Sequence, residues 1–186
     1  MKSREDAWTL LTTYTQEPHL IRHALAVEAA MRGYAERLGE DVELWGATGL
    51  LHDFDYERFP TLDDHPFKGS AILRQEGYPE ELVVAILGHG NHTGVPRTTA
   101  MAHHLFAVDE LTGLVMAVAM VKGRDLTAVE AGSVLRKMKD KAFARGVNRQ
   151  DVVDGADEIG LPLETHIGHV IADLTKVAPA LGLSGA

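Results

Sequence analysis

The chain has 186 residues, 45% of them hydrophobic, and its 18 basic and 27 acidic side chains give a formal net charge of -9 at pH 7. This length and apolar content allow one domain with a buried core, so we expect a single domain over residues 1–186. The acidic balance and the absence of a Lys/Arg-rich block argue against a nucleic-acid polymer or an anionic membrane as the principal partner. The chain has no cysteine, which excludes disulfides and thiolate metal sites.

The N-terminal residues MKSREDAWTLL lack the uninterrupted apolar segment of a signal peptide. No apolar run in the sequence approaches the roughly 20 residues that are needed to span a bilayer. We therefore expect a cytoplasmic protein with no membrane partner.

Helical periodicity runs through most of the chain, and no segment alternates regularly between apolar and polar residues. Ser3 begins a capping-box pattern that predicts a first helix to about Thr15. Pro18 is typical of a first helical turn and predicts a second helix that ends near Gly39. The fold class that these patterns predict is all-α.

The middle of the chain continues the helical pattern between glycine-rich and proline-rich breaks. In chain order we predict a third helix over 42–51, a loop over 54–64, a helix from His65 that stops at Gly77 and restarts at Pro79, a buried helix over 82–87 and an irregular loop over 88–96. A long apolar helix over 98–121 follows, and its low charge predicts that it is the central helix of the domain.

The C-terminal third is predicted to add three more helices. Thr127 with Glu130 resembles a capping box for a helix to about Lys141, two helices are predicted to begin near Asn148 and Pro162, and residues 181–186 are expected to be frayed. A basic run in this region includes Lys139, Lys141, Arg145 and Arg149. These residues could close over a site and bind phosphate, or they could form a solvated helical face.

The adjacent pair His52-Asp53 follows the apolar stretch of the third predicted helix. A carboxylate and an imidazole at the end of such a helix cost several kcal/mol to bury unless a cation or a hydrogen-bond partner compensates them. A divalent metal is the simplest compensation.

The chain resembles the HD superfamily of metal-dependent phosphohydrolases. The resemblance rests on His23 in LIRHALAVEAAM, His52-Asp53 in GATGLLHDFDYE and Asp109 in HHLFAVDELTG. It implies an all-helical bundle with the site at its centre, a core over about 18–122 and C-terminal helices 123–180 packed on it. It also implies that His23, His52, Asp53 and Asp109 are the ligands of a first metal.

Some members of the superfamily hold a second metal with two further histidines and a bridging aspartate. The resemblance assigns these roles to His65 in DDHPFKGSAIL, His89 in AILGHGNH and Asp53 as the bridge. His92 is the rival of His89, because this loop departs from the double-histidine form seen in many members.

Imidazole and carboxylate ligands suit one or two ions of Mn, Fe, Co, Ni, Zn or Mg, and such ions activate water for hydrolysis. Asp53 would orient that water as a catalytic residue. A side-chain cation would stabilise the charge that develops at phosphorus, and Lys68 is the first candidate and Arg58 the second. Either one could equally be an ordinary solvated side chain.

The function that this sequence predicts is hydrolysis of a phosphomonoester or phosphodiester in a small nucleotide or another phosphorylated metabolite. Two alternatives remain open, namely a di-iron oxygenase of the HD type and a non-catalytic HD module that binds a nucleotide. A small phosphorylated substrate is the expected partner. A homodimer is left open, because the apolar residues 114–121 could be buried in the domain or between two copies.

Overall fold

The computed structural model describes residues 2–185, and within this range the chain is all-α. Its ten helices are α1 (Arg4–Tyr14), α2 (Pro18–Leu38), α3 (Val42–Leu51), α4 (Phe67–Gln75), α5 (Glu80–Gly88), α6 (Ala100–Val121), α7 (Ala131–Met138), α8 (Arg149–Glu158), α9 (Leu163–Lys176) and α10 (Ala178–Leu181). Short 3-10 turns cover Asn91–Thr93 and Leu126–Ala128, and β-structure in the described range is limited to one isolated bridge. The predicted fold class is confirmed.

Local capping chemistry sets several helix ends where the sequence predicts them. The Ser3 N–H donates to the Asp6 carboxylate (2.8 Å), and the Asp6 N–H donates to Ser3 Oγ (3.2 Å), which completes the capping box of α1. Gly39 ends α2 in the left-handed region (φ 74°), where glycine has no Cβ to clash. The Asn148 side chain accepts from two backbone N–H groups at the start of α8.

Three predictions for the C-terminal third are wrong, and two of them concern the helix after Thr127. Thr127 does not cap a helix, because Asp125 accepts its N–H (2.8 Å) and directs a 3-10 turn instead. The helix that follows begins after Glu130, whose N–H donates to Ser133 Oγ (3.2 Å), and ends at Met138 rather than near Lys141.

The C-terminal residues 181–185 are not frayed. Leu183 is buried, and its carbonyl accepts the Leu126 N–H (3.0 Å). The apolar side chains in this segment therefore hold it on the domain, and Ala186 lies outside the described residues.

Helix α6 is the centre of the bundle and packs against α2, α5, α8 and α9. Contrary to the sequence prediction, its 22 residues are long and apolar enough to cross a membrane by length and mean hydropathy (1.6). However, 61% of its most apolar stretch is buried within the protein. This burial is that of a core helix, because its apolar surface is already covered by neighbouring helices.

Two glycines allow helix backbones to approach closely near the predicted site. A Cβ added at Gly49 of α3 would lie 2.8 Å from the Val27 carbonyl of α2. A Cβ added at Gly155 of α8 would lie 2.6 Å from Ala107 Cα of α6. These contacts bring α3 onto α2 and α8 onto α6 at distances that a larger residue would prevent.

Helix α9 is joined to α2 and α6 by a buried polar chain. The Tyr34 hydroxyl donates to His166 Nδ1 (2.5 Å), and His166 Nε2–H donates to the Ala107 carbonyl (2.9 Å). Burial lowers the pKa of His166 to about 4, so the imidazole is neutral at pH 7 and can serve as acceptor and donor at once. This series of hydrogen bonds anchors α6 at Ala107, two residues before Asp109.

We predict opposite effects on stability for alanine at two glycines of the C-terminal helices. Gly155→Ala should lower the free energy of unfolding by about 1–3 kcal/mol, because its Cβ must displace the α6 backbone. Gly168→Ala on α9 is the matched control, since nothing lies within 4 Å of an added Cβ there. It should raise stability by about 0.5–1 kcal/mol through helix propensity. Urea unfolding of both variants measures the difference, and equal effects would contradict the close approach.

Candidate metal centre

Some of the histidines and aspartates singled out in the sequence lie at helix ends, and the others lie within helices α2 and α6. His23 is in the second turn of α2, and Asp109 lies halfway along α6. His52 and His89 are the residues that immediately follow α3 and α5, and Asp53 comes next after His52. His65 precedes α4 by two residues. Helix ends therefore deliver four of the six side chains from different directions to one region.

His23, His52 and Asp109 form the first group. Their ligand atoms lie within 4.8 Å of one another. His23 Nε2 lies 3.0 Å from Asp109 Oδ1, and His52 Nε2 lies 3.4 Å from the same oxygen. Two imidazole nitrogens and a carboxylate oxygen thus face one point, which is the donor set that first-row divalent metals prefer.

Asp53, His65 and His89 form the second group, with ligand atoms again within 4.8 Å of one another. Asp53 Oδ1 lies 3.1 Å from His65 Nε2 and 3.3 Å from His89 Nε2. The other oxygen of Asp53, Oδ2, lies 3.4 Å from His52 Nε2 of the first group. Asp53 therefore stands between the two groups, with one oxygen directed at each.

The hydrogen bonding of His52 is evidence for a metal site that does not depend on the family pattern. His52 is fully buried, and its Nε2 has no hydrogen-bond partner within the described residues. Its Nδ1 donates to the Gly49 carbonyl (2.8 Å), so Nε2 is the nitrogen left to bind either a second proton or a metal. A buried, unpartnered nitrogen between two carboxylates fits a divalent cation, which would satisfy all three groups.

Opposite charges in the two groups stabilise one another strongly. Burial opposes the charged form of His52, but Asp53 and Asp109 outweigh it and raise the pKa of His52 well above its usual range. Burial likewise opposes the charge of Asp53, yet His52, His65 and His89 hold its pKa well below the ordinary value. The buried carboxylates of the site therefore need positive charge beside them, and either protons on the imidazoles or a metal can supply it.

Comparison with protein families matches residues 20–154, more than half of the chain, to the HD domain. The chain belongs to the HD-domain family. The resemblance seen in the sequence is confirmed, and proteins of this family are generally metal-dependent hydrolases. No curated protein and no solved structure matches the chain.

A buried carboxylate that the sequence analysis missed orients one ligand of this HD domain. Asp55 is fully buried, accepts His65 Nδ1–H (2.8 Å) and accepts the Gly69 N–H (2.8 Å). The first bond directs His65 Nε2 toward Asp53, as is common for histidines that bind metals. The available signal was the second aspartate of HDFD, together with a glycine four residues after His65.

Three other histidines of this region have other partners. His92 Nε2 bonds the His65 carbonyl (3.0 Å), so the structure places His89 and not His92 in the second group. His103 lies 2.7 Å from Glu158. His104 is buried between Tyr34 and Trp45, as expected of a core residue.

A cleft lined by His89, Asp109 and Asp151, among others, lies beside the two groups, and the predicted catalytic cations are not part of its lining. Lys68 Nζ pairs with Asp64 (3.0 Å) and lies over the Phe59 ring, with half of its side chain exposed. The Arg58 guanidinium bonds the Thr13 carbonyl and lies 4.4 Å from the centre of the Tyr14 ring. Neither lines the cleft, so their roles in catalysis stay predictions.

The basic C-terminal run also stays outside the cleft. Lys139, Lys141 and Arg145 are exposed. Arg149 donates to the carbonyls of Ala144 (2.5 Å) and Val147 (2.7 Å) and so holds the turn before α8. The residues of this region that do line the cleft are Asn148 and Asp151, which sequence analysis did not select.

We predict that Asp55→Asn weakens metal binding without abolishing it. Asparagine lacks the charge that aligns His65, and loss of such a partner typically lowers metal affinity by about 10–100-fold. Asp64→Asn is the control, because Asp64 is the neighbour of His65 but pairs with Lys68 instead. Titration of the metal-free proteins with Mn²⁺ measures the change. Equal affinities for Asp55→Asn and the unmodified chain would contradict the role of Asp55.

Proposed function

We propose that the chain is a metal-dependent phosphohydrolase that cleaves a phosphomonoester or phosphodiester in a small phosphorylated molecule. The observation that carries this proposal is the pair of three-residue ligand groups, joined by Asp53. We further propose that the enzyme is cytoplasmic and uses one or two ions of Mn, Fe, Co, Ni, Zn or Mg. A homodimer is compatible with the proposal.

The chain supplies ligands of fixed orientation. His52 and His89 donate from Nδ1 to the carbonyls of Gly49 (2.8 Å) and Ile86 (2.6 Å), which leaves Nε2 of both as the ligand atom. Divalent cations held by such ligands lower the pKa of bound water and withdraw charge from phosphoryl oxygens. Asp53, with an oxygen directed at each group, is the residue best placed to orient the attacking water.

Access to the groups is through a cleft of about 300 Å³. His89 of the second group and Asp109 of the first both line it. A phosphoryl group that enters the cleft therefore meets a residue of each group. Its volume is at the lower end of the range for small-molecule sites, which supports a small substrate.

The test is metal content measured together with hydrolysis of p-nitrophenyl phosphate and bis(p-nitrophenyl) phosphate in Mn²⁺ and Co²⁺. The unmodified chain should bind metal and hydrolyse at least one of the two esters. Asp53→Ala should reduce hydrolysis to the level of the metal-free protein, because Asp53 belongs to one group and contacts the other.

His19→Ala is the matched control for this experiment. His19 lies on the same helix as His23, one turn earlier, and is largely exposed. Its loss should leave both metal content and turnover unchanged. Metal binding without turnover of either ester would overturn the hydrolase and favour a binding module, whereas O₂ consumption by the iron-loaded protein would favour an oxygenase.

A further inference from the structure

The cleft beside the metal ligands is acidic. Its lining includes the carboxylates Glu110 and Asp151 in addition to Asp109, and within residues 2–185 no lysine or arginine lines it. A metal at the first group would compensate Asp109. The two other carboxylates would remain without a cation, and a partly buried carboxylate without one is costly.

Arg97 acts on the charge of Asp151 from outside the lining, but its own hydrogen bonds go to other groups. Arg97 forms a two-pronged ion pair with Glu158 (2.8 and 2.6 Å) and donates to the Gly88 carbonyl (2.9 Å). Its guanidinium also lies 3.8 Å from the centre of the ring of Phe106, which lines the cleft. Arg97 is therefore already paired, and it covers one face of Phe106 on which a nucleobase could stack.

Neutral donors hold Glu110 and Asp151 in place. The Asn148 backbone N–H donates to Glu110 Oε2 (3.1 Å), and the Asn148 side chain donates to Asp151 Oδ2 (2.8 Å). Asn91 donates to the other oxygen of Asp151 (3.3 Å). Glu110 Oε1 has no hydrogen-bond partner in the part of the chain that the structure describes. These donors are uncharged, so they orient both carboxylates without supplying a positive charge.

One residue of the acidic lining, Asp109, also belongs to the first group of metal ligands. Asp109 lies 3.4 Å from the fully buried Nε2 of His52, which has no hydrogen-bond partner among the described residues. A molecule with its phosphate at the metal ligands would extend its other end past Glu110, the residue next to Asp109 on α6.

The geometry points to a substrate that is a small organic phosphate with a protonated amine at the end opposite the phosphate. This inference rests on the proposed function. Glu110 and Asp151 would be the specificity-determining residues, because they would accept hydrogen bonds from the ammonium group and compensate its charge. A charge-assisted hydrogen bond of this kind is worth about a tenfold to hundredfold preference.

The test compares three probes of similar size with the Mn²⁺-loaded protein. They are 2-aminoethyl phosphate, 2-hydroxyethyl phosphate and ethyl phosphate. We expect kcat/KM for the amine to exceed that for ethyl phosphate by about tenfold or more. If the hydroxyl compound matches the amine, the site recognises hydroxyl groups and the inference is overturned.

Variants then assign the preference to the cleft. In Glu110→Gln and Asp151→Asn the ratio between amine and ethyl phosphate should fall toward one, because the amide keeps an acceptor but loses the charge. Asp157→Asn is the matched control, since Asp157 is exposed on the same helix as Asp151 and does not line the cleft. It should keep the ratio of the unmodified chain. A ratio that survives in both cleft variants overturns the inference.

Binding measurements separate this inference from the proposed function. If none of the probes is hydrolysed, calorimetric titration of the Mn²⁺-loaded protein with the same probes decides the question of specificity. Tighter binding of the amine, lost in Glu110→Gln, would support the acidic cleft even though the hydrolase proposal has failed. Equal binding of amine and ethyl phosphate would overturn it.

Discussion

Imidazoles and carboxylates are buried at the centre of an apolar helical bundle, and the helices around them must hold and compensate these groups. His52 follows the apolar helix α3 and is fully buried, yet its Nε2 faces two carboxylates and forms no hydrogen bond with the described residues. Such a group is costly unless a cation compensates the carboxylates. The HD-domain fold places two further imidazoles, those of His65 and His89, on the other side of Asp53, so one cluster of charges becomes two adjacent ligand groups.

The surrounding helices are arranged to hold these groups at fixed positions. Gly49 allows α3 to lie directly on the backbone of α2, and it also provides the carbonyl that orients His52. Gly155 allows α8 to approach α6, which brings Asp151 to the cleft beside Asp109. His166 fixes α6 from the other side through the Ala107 carbonyl. The close packing of the helices therefore fixes the positions of the side chains that would bind a metal.

Sequence reasoning reached the parts of the site that depend on short patterns. The family resemblance assigned His23, His52, Asp53 and Asp109 to one metal, whereas the structure groups Asp53 with His65 and His89. The caps at Ser3 and Asn148 predicted helix starts. It missed Asp55, because the role of that residue depends on contact with Gly69 and His65 across a loop. It missed Glu110 and Asp151 because they meet only when α8 packs on α6. It could not separate His89 from His92, since both lie in one glycine-rich loop and only the fold directs one of them inward.

In the proposed hydrolase, the side chains at the helix ends supply the chemistry and the cleft beside α6 and α8 supplies the selectivity. The claim that supports both is that Asp53 joins two occupied metal positions. Anomalous diffraction from crystals of the Mn²⁺-loaded protein tests it most directly. We expect two anomalous peaks, one beside His23, His52 and Asp109 and the other beside His65 and His89, with Asp53 between them. A single peak, or none, would contradict the claim.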